Sequence, residues 1–204
     1  MFITDGVSNY DRVCEDLLAL VEKTGASANA PLLGGRVTVT DALIPVFGEE
    51  CAVRRDGVYK DERRLDTIGS ILVVRYLLQA GTEPLAHSWL PYRDLKDGAQ
   101  FSSYIKANIE DKIALSFSGK RDVLEERLTA LGAEAYAGGE MPGDLVRVVH
   151  PLPKVPVLCL FWEADEEFPP SFQFLFDSSA PSYLDLESLA VVLEYIYLKV
   201  AGEG

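Results

Sequence analysis

The sequence has few of the side chains from which metal centres and nucleophilic sites are usually built. Its three cysteines stand far apart and its histidines number only two: Cys14, Cys51, Cys159, His87 and His150. No pair of these residues has the spacing of a zinc or iron–sulfur site. No Gly-x-Ser-x-Gly motif marks a nucleophilic serine. We therefore assign no metal ligands and no cofactor from the sequence.

Long apolar runs and an excess of positive charge are also missing. No stretch approaches the ~18 uninterrupted apolar residues of a membrane-spanning helix, and the first residues lack the basic and apolar regions of a signal peptide. With 19 basic against 32 acidic residues, the formal charge of −13 opposes binding to phosphate backbones and anionic lipids. We expect a cytoplasmic protein without nucleic-acid or membrane partners. The charge favours solubility or, alternatively, an acidic face for a basic protein partner.

Apolar periodicity predicts a single α+β domain over residues 1–204. Apolar stripes and cap residues predict helices at 8–23, 66–80, 101–117, 124–131 and from Asp185 onward. The second helix is apolar around nearly its whole circumference, so we expect a buried central helix. Strands are predicted at 36–40, 52–54, 58–59, 145–149, 155–163 and 172–176. Helices that bracket a run of strands are typical of a mainly antiparallel sheet with flanking helices.

The densest chemical signal is an acidic loop between the last two predicted strands. Glu163, Asp165, Glu166 and Glu167 lie within five positions. Their oxygens are of the kind that Ca²⁺ or Mg²⁺ prefers, and paired carboxylates also perform acid–base chemistry. The catalytic candidates are therefore Glu163, Asp165 and Glu166. The alternative is a solvated hairpin tip whose charges oppose aggregation of two very apolar strands.

Phe168, which is followed by Pro169 and Pro170, predicts that this loop folds back onto the body of the protein. An aromatic side chain gains from apolar contact, and two prolines stiffen its approach. We therefore expect Phe168 to pack on the body of the protein and to order the neighbouring carboxylates.

A second candidate segment is HSWLPYRDL, which begins at His87. Aromatic and cationic residues of this kind recur in ligand pockets, although a surface turn anchored by Trp89 explains the same pattern. With the hairpin, the segment predicts a groove near residues 162–177, where aromatic side chains give apolar contact and Arg93 fixes an anionic group. The predicted ligand-binding residues are Trp162, Phe168, Asp177, Arg93, Tyr92 and His87.

The C-terminal part of the chain resembles the signature of an uncharacterised prokaryotic domain family. The similar segment is P-x-V-P-x-L-x-x-x-W-x-x-D-E-E-F-P-P followed by L-F-D-x-S, which lies at 153–170 and 175–179. ILVVRYLLQAG and WLPYRDL are similar too, so the resemblance covers most of the chain. The family occurs largely in anaerobes, sometimes beside or fused to iron–sulfur domains, and has no assigned activity. The resemblance thus implies only a link with anaerobic redox or one-carbon metabolism.

Together, these observations favour a binding or accessory module that takes a small molecule or a partner protein in the groove. One alternative is a hydrolase or transferase that uses carboxylates of the acidic loop, with or without a divalent metal. Another is a subunit of a protein complex, with the last helix at an interface. Both an enzyme and a binding protein therefore stay open.

Overall fold

The computed structural model describes residues 7–202, without the side chains of residues 7 and 8. Its contacts divide the chain into two compact units. The N-terminal unit comprises the described residues up to Thr82 together with Ser182–Leu184, and the C-terminal unit comprises Glu83–Pro181 and the described residues from Asp185 onward. Helices and antiparallel strands occur in the proportions of an α+β protein, which confirms the predicted class. That the whole chain is a single domain stays a prediction.

The N-terminal unit is built from two α-helices, a 3-10 helix and a five-stranded sheet. Helix α1 spans Val7–Thr24, the 3-10 helix spans Ala26–Leu33 and α2 spans Thr67–Gln79. The sheet follows chain order with antiparallel neighbours. Its strands β1 to β5 are Arg36–Val37, Ala42–Val46, Glu49–Arg54, Gly57–Lys60 and Arg63–Arg64.

Helix α2 is the buried helix that its apolar circumference predicts. Val73, Val74 and Leu77 have no exposed surface. Asp66 caps the first turn by accepting a hydrogen bond from the Gly69 N–H at 2.9 Å, as an aspartate before an apolar run predicts. Apolar burial on all sides places this helix within the core of its unit.

The C-terminal unit contains a second antiparallel sheet with strand order β6-β10-β9-β8-β7. Strands β6 to β10 are Trp89–Pro91, Glu134–Ala135, Leu145–Leu152, Val155–Trp162 and Ser171–Asp177. The predicted antiparallel pairing of the last two strands is confirmed, with Phe172 opposite Phe161. Residues 155–161, which are all of β9 except Trp162, are buried, as the continuous apolar pattern predicts.

Helices cover one face of this sheet, where β10 presents three buried phenylalanines at alternate positions, Phe172, Phe174 and Phe176. The elements are a 3-10 helix at Tyr92–Asp94, α3 at Ala99–Ile105, a π-helical turn at Lys106–Glu110, α4 at Asp111–Phe117, α5 at Arg121–Ala130 and α6 at Leu186–Ala201. The predicted Asp185 cap of α6 is confirmed, since its carboxylate accepts from the Ser188 N–H. No helix in the described part of the chain is both long and apolar enough to cross a membrane.

The first predicted strand, 36–40, is mostly wrong. Strand β1 ends at Val37 because Thr38 begins a turn. The Thr38 N–H donates to the Asp41 carbonyl at 2.8 Å, and the Thr38 hydroxyl accepts from the Asp41 N–H at 2.9 Å. Threonine hydroxyls form such local bonds in place of strand pairing. The chain therefore reverses where the alternating pattern suggested that it continued.

Candidate functional site

The acidic loop is the tip of the β9–β10 hairpin, and two of its carboxylates hold backbone N–H groups. The Glu163 carboxylate accepts a hydrogen bond from the Gly119 N–H at 2.8 Å. The Asp165 carboxylate accepts from the N–H groups of Glu167 and Phe168 at 2.8 and 2.7 Å. These side chains therefore anchor the hairpin and close its turn. Among the described residues, no group of three or more His, Cys, Asp or Glu is placed to hold a metal ion.

Phe168 does not pack on the body of the protein, so that prediction is wrong. The residue is 65% exposed. The loop keeps its shape through its own hydrogen bonds, which include one from the Asp165 N–H to the Phe168 carbonyl at 3.0 Å. Because this turn is closed by polar contacts, it holds without burying its aromatic side chain. The structure thus matches the alternative interpretation, a charged and solvated hairpin tip.

Asp177 is a structural carboxylate at the end of β10. It has no exposed surface and accepts four hydrogen bonds, from the backbone N–H groups of Ala86, His87 and Ser179 and from the Ser179 hydroxyl. Burial alone would raise its pKa, but the hydrogen bonds from these three residues outweigh burial and hold the pKa below its usual value. Because protein groups occupy both oxygens, Asp177 fastens residues 86–87 to the sheet.

The segment around His87 is the surface turn that was the alternative interpretation of its sequence. His87 has a left-handed backbone, with φ of 52°, and gives its backbone N–H to Asp177. Trp89 packs edge-to-face on Tyr136, with ring centroids 5.8 Å apart, and its indole N–H donates to the Tyr136 hydroxyl at 3.1 Å. Trp89 therefore anchors the turn by the amphipathic contacts expected of tryptophan.

A cleft of about 560 Å³ opens beside β10 in the C-terminal unit. Its walls come from residues 91–93, at the end of β6 and in the 3-10 helix that follows, from α3 with the π turn, from Trp162 at the end of β9 and from residues 171–173 of β10. The cleft opens where β6 stops, because β6 pairs with β10 only from Leu175 to Asp177. Its volume is in the range of small-molecule sites.

Three of the six predicted ligand-binding residues meet in this cleft: Trp162, Tyr92 and Arg93. Tyr92 supports the wall, since its hydroxyl donates to the Leu186 carbonyl at 2.7 Å. Burial raises the pKa of Tyr92 to about 12, so the hydroxyl stays neutral near pH 7. The Arg93 side chain is 68% exposed and lies 3.6 Å from Asp94, which leaves its guanidinium accessible to a ligand.

Glu110 is a cleft residue that the sequence-based prediction missed. It ends the π turn and is only 8% exposed. One carboxylate oxygen accepts a hydrogen bond from the Phe174 N–H at 2.9 Å, and the other lies 3.9 Å from the Lys106 Nζ. Burial raises the pKa of Glu110, although the Phe174 hydrogen bond and the charges of Lys106 and Arg93 oppose this effect. Buried carboxylates of this kind, and π turns, are frequent at functional sites.

The sequence signal for the π turn was the spacing of apolar residues in the third predicted helix. Its apolar residues recur every fourth position from Phe101 to Phe117, whereas an α-helical turn takes 3.6 residues. A repeat of four drifts around a regular α-helix, and a wider turn corrects the drift. The polar cleft residues Lys106, Ser102, Ser103 and Gln173 had no comparable signal.

The N-terminal unit has a second cleft, of about 430 Å³, which is lined by ion pairs. Arg54 donates two hydrogen bonds to the Glu62 carboxylate, each of 2.7 Å, and its guanidinium lies over the Tyr59 ring. Lys60 pairs with Glu49 in the same cleft. The side chains of Arg54 and Lys60 are 32% and 37% exposed, against 68% for Arg93, so this cleft offers a ligand less access to its cations than the cleft beside β10.

In a comparison with protein-family models, residues 26–198 match the model of a domain of unknown function (DUF3786). Comparison with the curated proteins and with the solved structures gave no match. The family match covers most of the chain, including both clefts, and it confirms the expected resemblance to an uncharacterised domain family.

Proposed function

We propose that this chain, which belongs to the DUF3786 family of domains of unknown function, is a cytoplasmic binding module. Its ligand is a small organic molecule with an anionic group and an apolar part, held in the cleft beside β10. The single observation that supports this proposal is the meeting of Trp162, Arg93 and Lys106 around one concavity.

The cleft holds two cationic side chains in a protein that is strongly acidic as a whole. The chain carries a formal charge of −13, so an anion is repelled by most of its surface. Arg93 and Lys106 lie on two sides of the cleft, and the guanidinium offers paired N–H donors to a carboxylate, sulfonate or phosphate. These two side chains are therefore the groups of the cleft that would attract an anionic group.

The apolar part of the ligand has its own wall. Trp162 is half-buried at the end of β9, where it lies opposite Ser171 of β10. An aromatic ring that stacks on Trp162 loses contact with water on one side and gains dispersion contacts on the other. This combination of one apolar wall and a few polar groups is typical of small-molecule sites.

A second candidate function is a hydrolase or transferase that uses Glu110. The hairpin carboxylates Glu163, Asp165 and Glu166 do not line the cleft, whereas Glu110 lines it and is buried. Burial raises the pKa of Glu110, which favours its protonated form and makes it the candidate proton donor. This candidate differs from a binding module in one respect, since it requires turnover of the bound molecule.

Anilinonaphthalene sulfonate is a suitable probe, because it joins an aromatic body to a permanently ionised group and fluoresces when bound. We expect Arg93→Ala to weaken its binding by on the order of tenfold, the effect of losing one charge-assisted hydrogen bond. The measurement is a fluorescence titration at constant ionic strength.

Arg121→Ala is the matched control for this experiment. Arg121 lies 3.5 Å from the neighbouring Asp122, much as Arg93 lies beside Asp94, but it does not line the cleft. The proposal predicts wild-type affinity for this control. Equal affinities of the two variants for the probe would contradict an anion site at Arg93.

A further inference from the structure

The two carboxylate oxygens of Glu110 have different surroundings. Oε1 accepts a hydrogen bond from the Phe174 N–H at 2.9 Å, which completes the edge of β10 where β6 no longer pairs. The nearest cation to Oε2 is the Lys106 Nζ at 3.9 Å, which is beyond hydrogen-bond distance. Glu110 is 8% exposed and lines the cleft. Oε1 is thus bound by the backbone of β10, and Oε2 is the oxygen that can meet a ligand.

The charges that face Glu110 do not compensate an additional anion. They are Lys106 and Asp111 from its own helix and Arg93 from the 3-10 helix after β6; the Phe174 N–H faces it from β10. Lys106 also pairs with Asp111 at 2.9 Å, and Arg93 lies beside Asp94. If Glu110 is ionised, two cations stand against three carboxylates, Glu110, Asp94 and Asp111. A bound anion would increase this imbalance.

We infer that Glu110 is the specificity-determining residue of the cleft and meets the ligand as a neutral carboxylic acid. Its Oε2 hydroxyl donates a hydrogen bond to the anionic group of the ligand, so that one proton is taken up from solvent when the complex forms. This inference rests on the proposed anion-binding function. It names the ligand class more closely, as organic acids whose anionic group accepts a hydrogen bond, and it excludes amines.

The physical reason is the cost of placing two like charges together away from water. Two carboxylates that share a site do not both ionise, and the one in the drier surroundings keeps its proton. Burial already raises the pKa of Glu110, although the Phe174 hydrogen bond and the charge of Lys106 lower it. An ammonium ligand would have the opposite requirement, because it needs Glu110 ionised.

The test is the pH dependence of probe binding. Anilinonaphthalene sulfonate stays ionised throughout the range, so its pH profile reports groups of the protein. We expect wild-type affinity to rise as the pH is lowered from about 8 to about 5, by at most tenfold per pH unit. Glu110→Gln should bind as the wild type does at low pH and show a flat profile, because the amide N–H replaces the acid hydroxyl.

Glu163→Gln is the matched control. Glu163 also accepts one backbone N–H, from Gly119 at 2.8 Å, but it lies on the hairpin outside the cleft. This control should keep the wild-type profile. A carboxyl-carbon NMR titration of the wild type, with and without probe, keeps the test independent of any folding defect in Glu110→Gln. The probe should raise the pKa of Glu110.

Three results would overturn the inference. They are a wild-type profile retained in Glu110→Gln, an affinity that rises with pH, or a Glu110 pKa that the probe leaves unchanged. Each leaves the Arg93→Ala effect intact. Failure of anion binding itself would instead appear as a loss of the difference between Arg93→Ala and Arg121→Ala.

Discussion

At the scale of single residues, the pKa values of two buried carboxyl groups, Asp177 and Glu110, shift in opposite directions. Asp177 is buried with four hydrogen-bond donors around it, and these donors outweigh the cost of burial. Glu110 is buried with one such donor, from Phe174, and burial prevails. The number of donors therefore decides the direction of the pKa shift, which is downward for the structural carboxylate Asp177 and upward for Glu110 in the cleft.

Asp177→Asn should destabilise the protein by about 2 kcal/mol at neutral pH, since hydrogen bonds to a charged acceptor are worth about 1.5–3 kcal/mol each and the amide keeps some of them. The depressed pKa of Asp177 adds stability that is complete above the unfolded pKa and is lost as pH falls through the folded pKa. The difference between wild type and Asp177→Asn should therefore shrink on acidification. Urea unfolding at neutral and acidic pH measures it.

Asp165→Asn is the comparison for this prediction, because Asp165 accepts two backbone hydrogen bonds but lies exposed at the hairpin tip. Solvent replaces such bonds at little cost, so its effect should stay below about 1 kcal/mol. If both variants lost the same stability, the role of burial at Asp177 would be refuted.

The sequence predicted those cleft residues whose side-chain type, aromatic or cationic, itself suggests ligand binding. Trp162 and Arg93 stand next to recognisable strand and turn signals, and the structure brings both to the cleft. The prediction for Phe168 was wrong because it assumed that an aromatic side chain must be buried. The hydrogen bonds of Asp165 close this turn while Phe168 stays exposed. Glu110 was missed because a single carboxylate in a helix has no local feature that marks its burial.

At the scale of elements, the π turn determines where Glu110 and Lys106 lie. The Asp111 N–H donates to the Lys106 carbonyl, five residues earlier, instead of to the fourth. This wider turn lets residues at strict four-residue spacing stay on one face, and Ile105, Ile109 and Ile113 are all buried. The helix thus accommodates one extra residue at the wall of the cleft.

Deletion of Ala107, an exposed residue of the π turn, should convert this segment to a continuous α-helix. We expect the fold to persist, because a π turn is one inserted residue and its removal keeps the flanking helices in phase. Probe binding should fall by tenfold or more, since about 1.4 kcal/mol is lost with the position of Lys106. Circular dichroism checks the fold and fluorescence titration checks the binding.

Ala107→Ser separates chain length from side-chain identity at the same position, and it should bind the probe as the wild type does. Tight binding by the deletion variant would show that the cleft does not depend on the π turn.

Other elements show which patterns carry over from sequence to structure. The strands predicted at 52–54 and 58–59 are present as an antiparallel pair, in which Arg54 lies opposite Gly57 and residues 55–56 form the turn. Strand β2 was not predicted, because Pro45 stands within it and proline is a weak strand former. The register of a short strand depends on partners that are distant in sequence, and a local pattern contains no record of them.

At the scale of the whole molecule, the net charge opposes stability more than the surface ion pairs support it. The formal charge is −13, and mutual repulsion of this kind weakens a compact state. Surface pairs such as Arg36–Glu50, with side chains 61% and 49% exposed, contribute about 0–1 kcal/mol each. Salt screens both effects, but the repulsion arises from the whole excess of acidic over basic residues, whereas the attraction comes from individual contacts.

The melting temperature should therefore rise by a few degrees when sodium chloride is raised from about 10 mM to about 150 mM, where the screening length falls from roughly 30 to 8 Å. Glu166→Gln with Glu167→Gln sharpens the test, because these exposed carboxylates make no ion pair among the described residues. The double variant should melt higher than wild type at low salt and respond less to added salt. Glu50→Gln, which also removes charge but breaks the pair with Arg36, should gain less. A melting temperature that falls with salt would mean that ion pairs outweigh repulsion, and the acidic surface would then stabilise the fold.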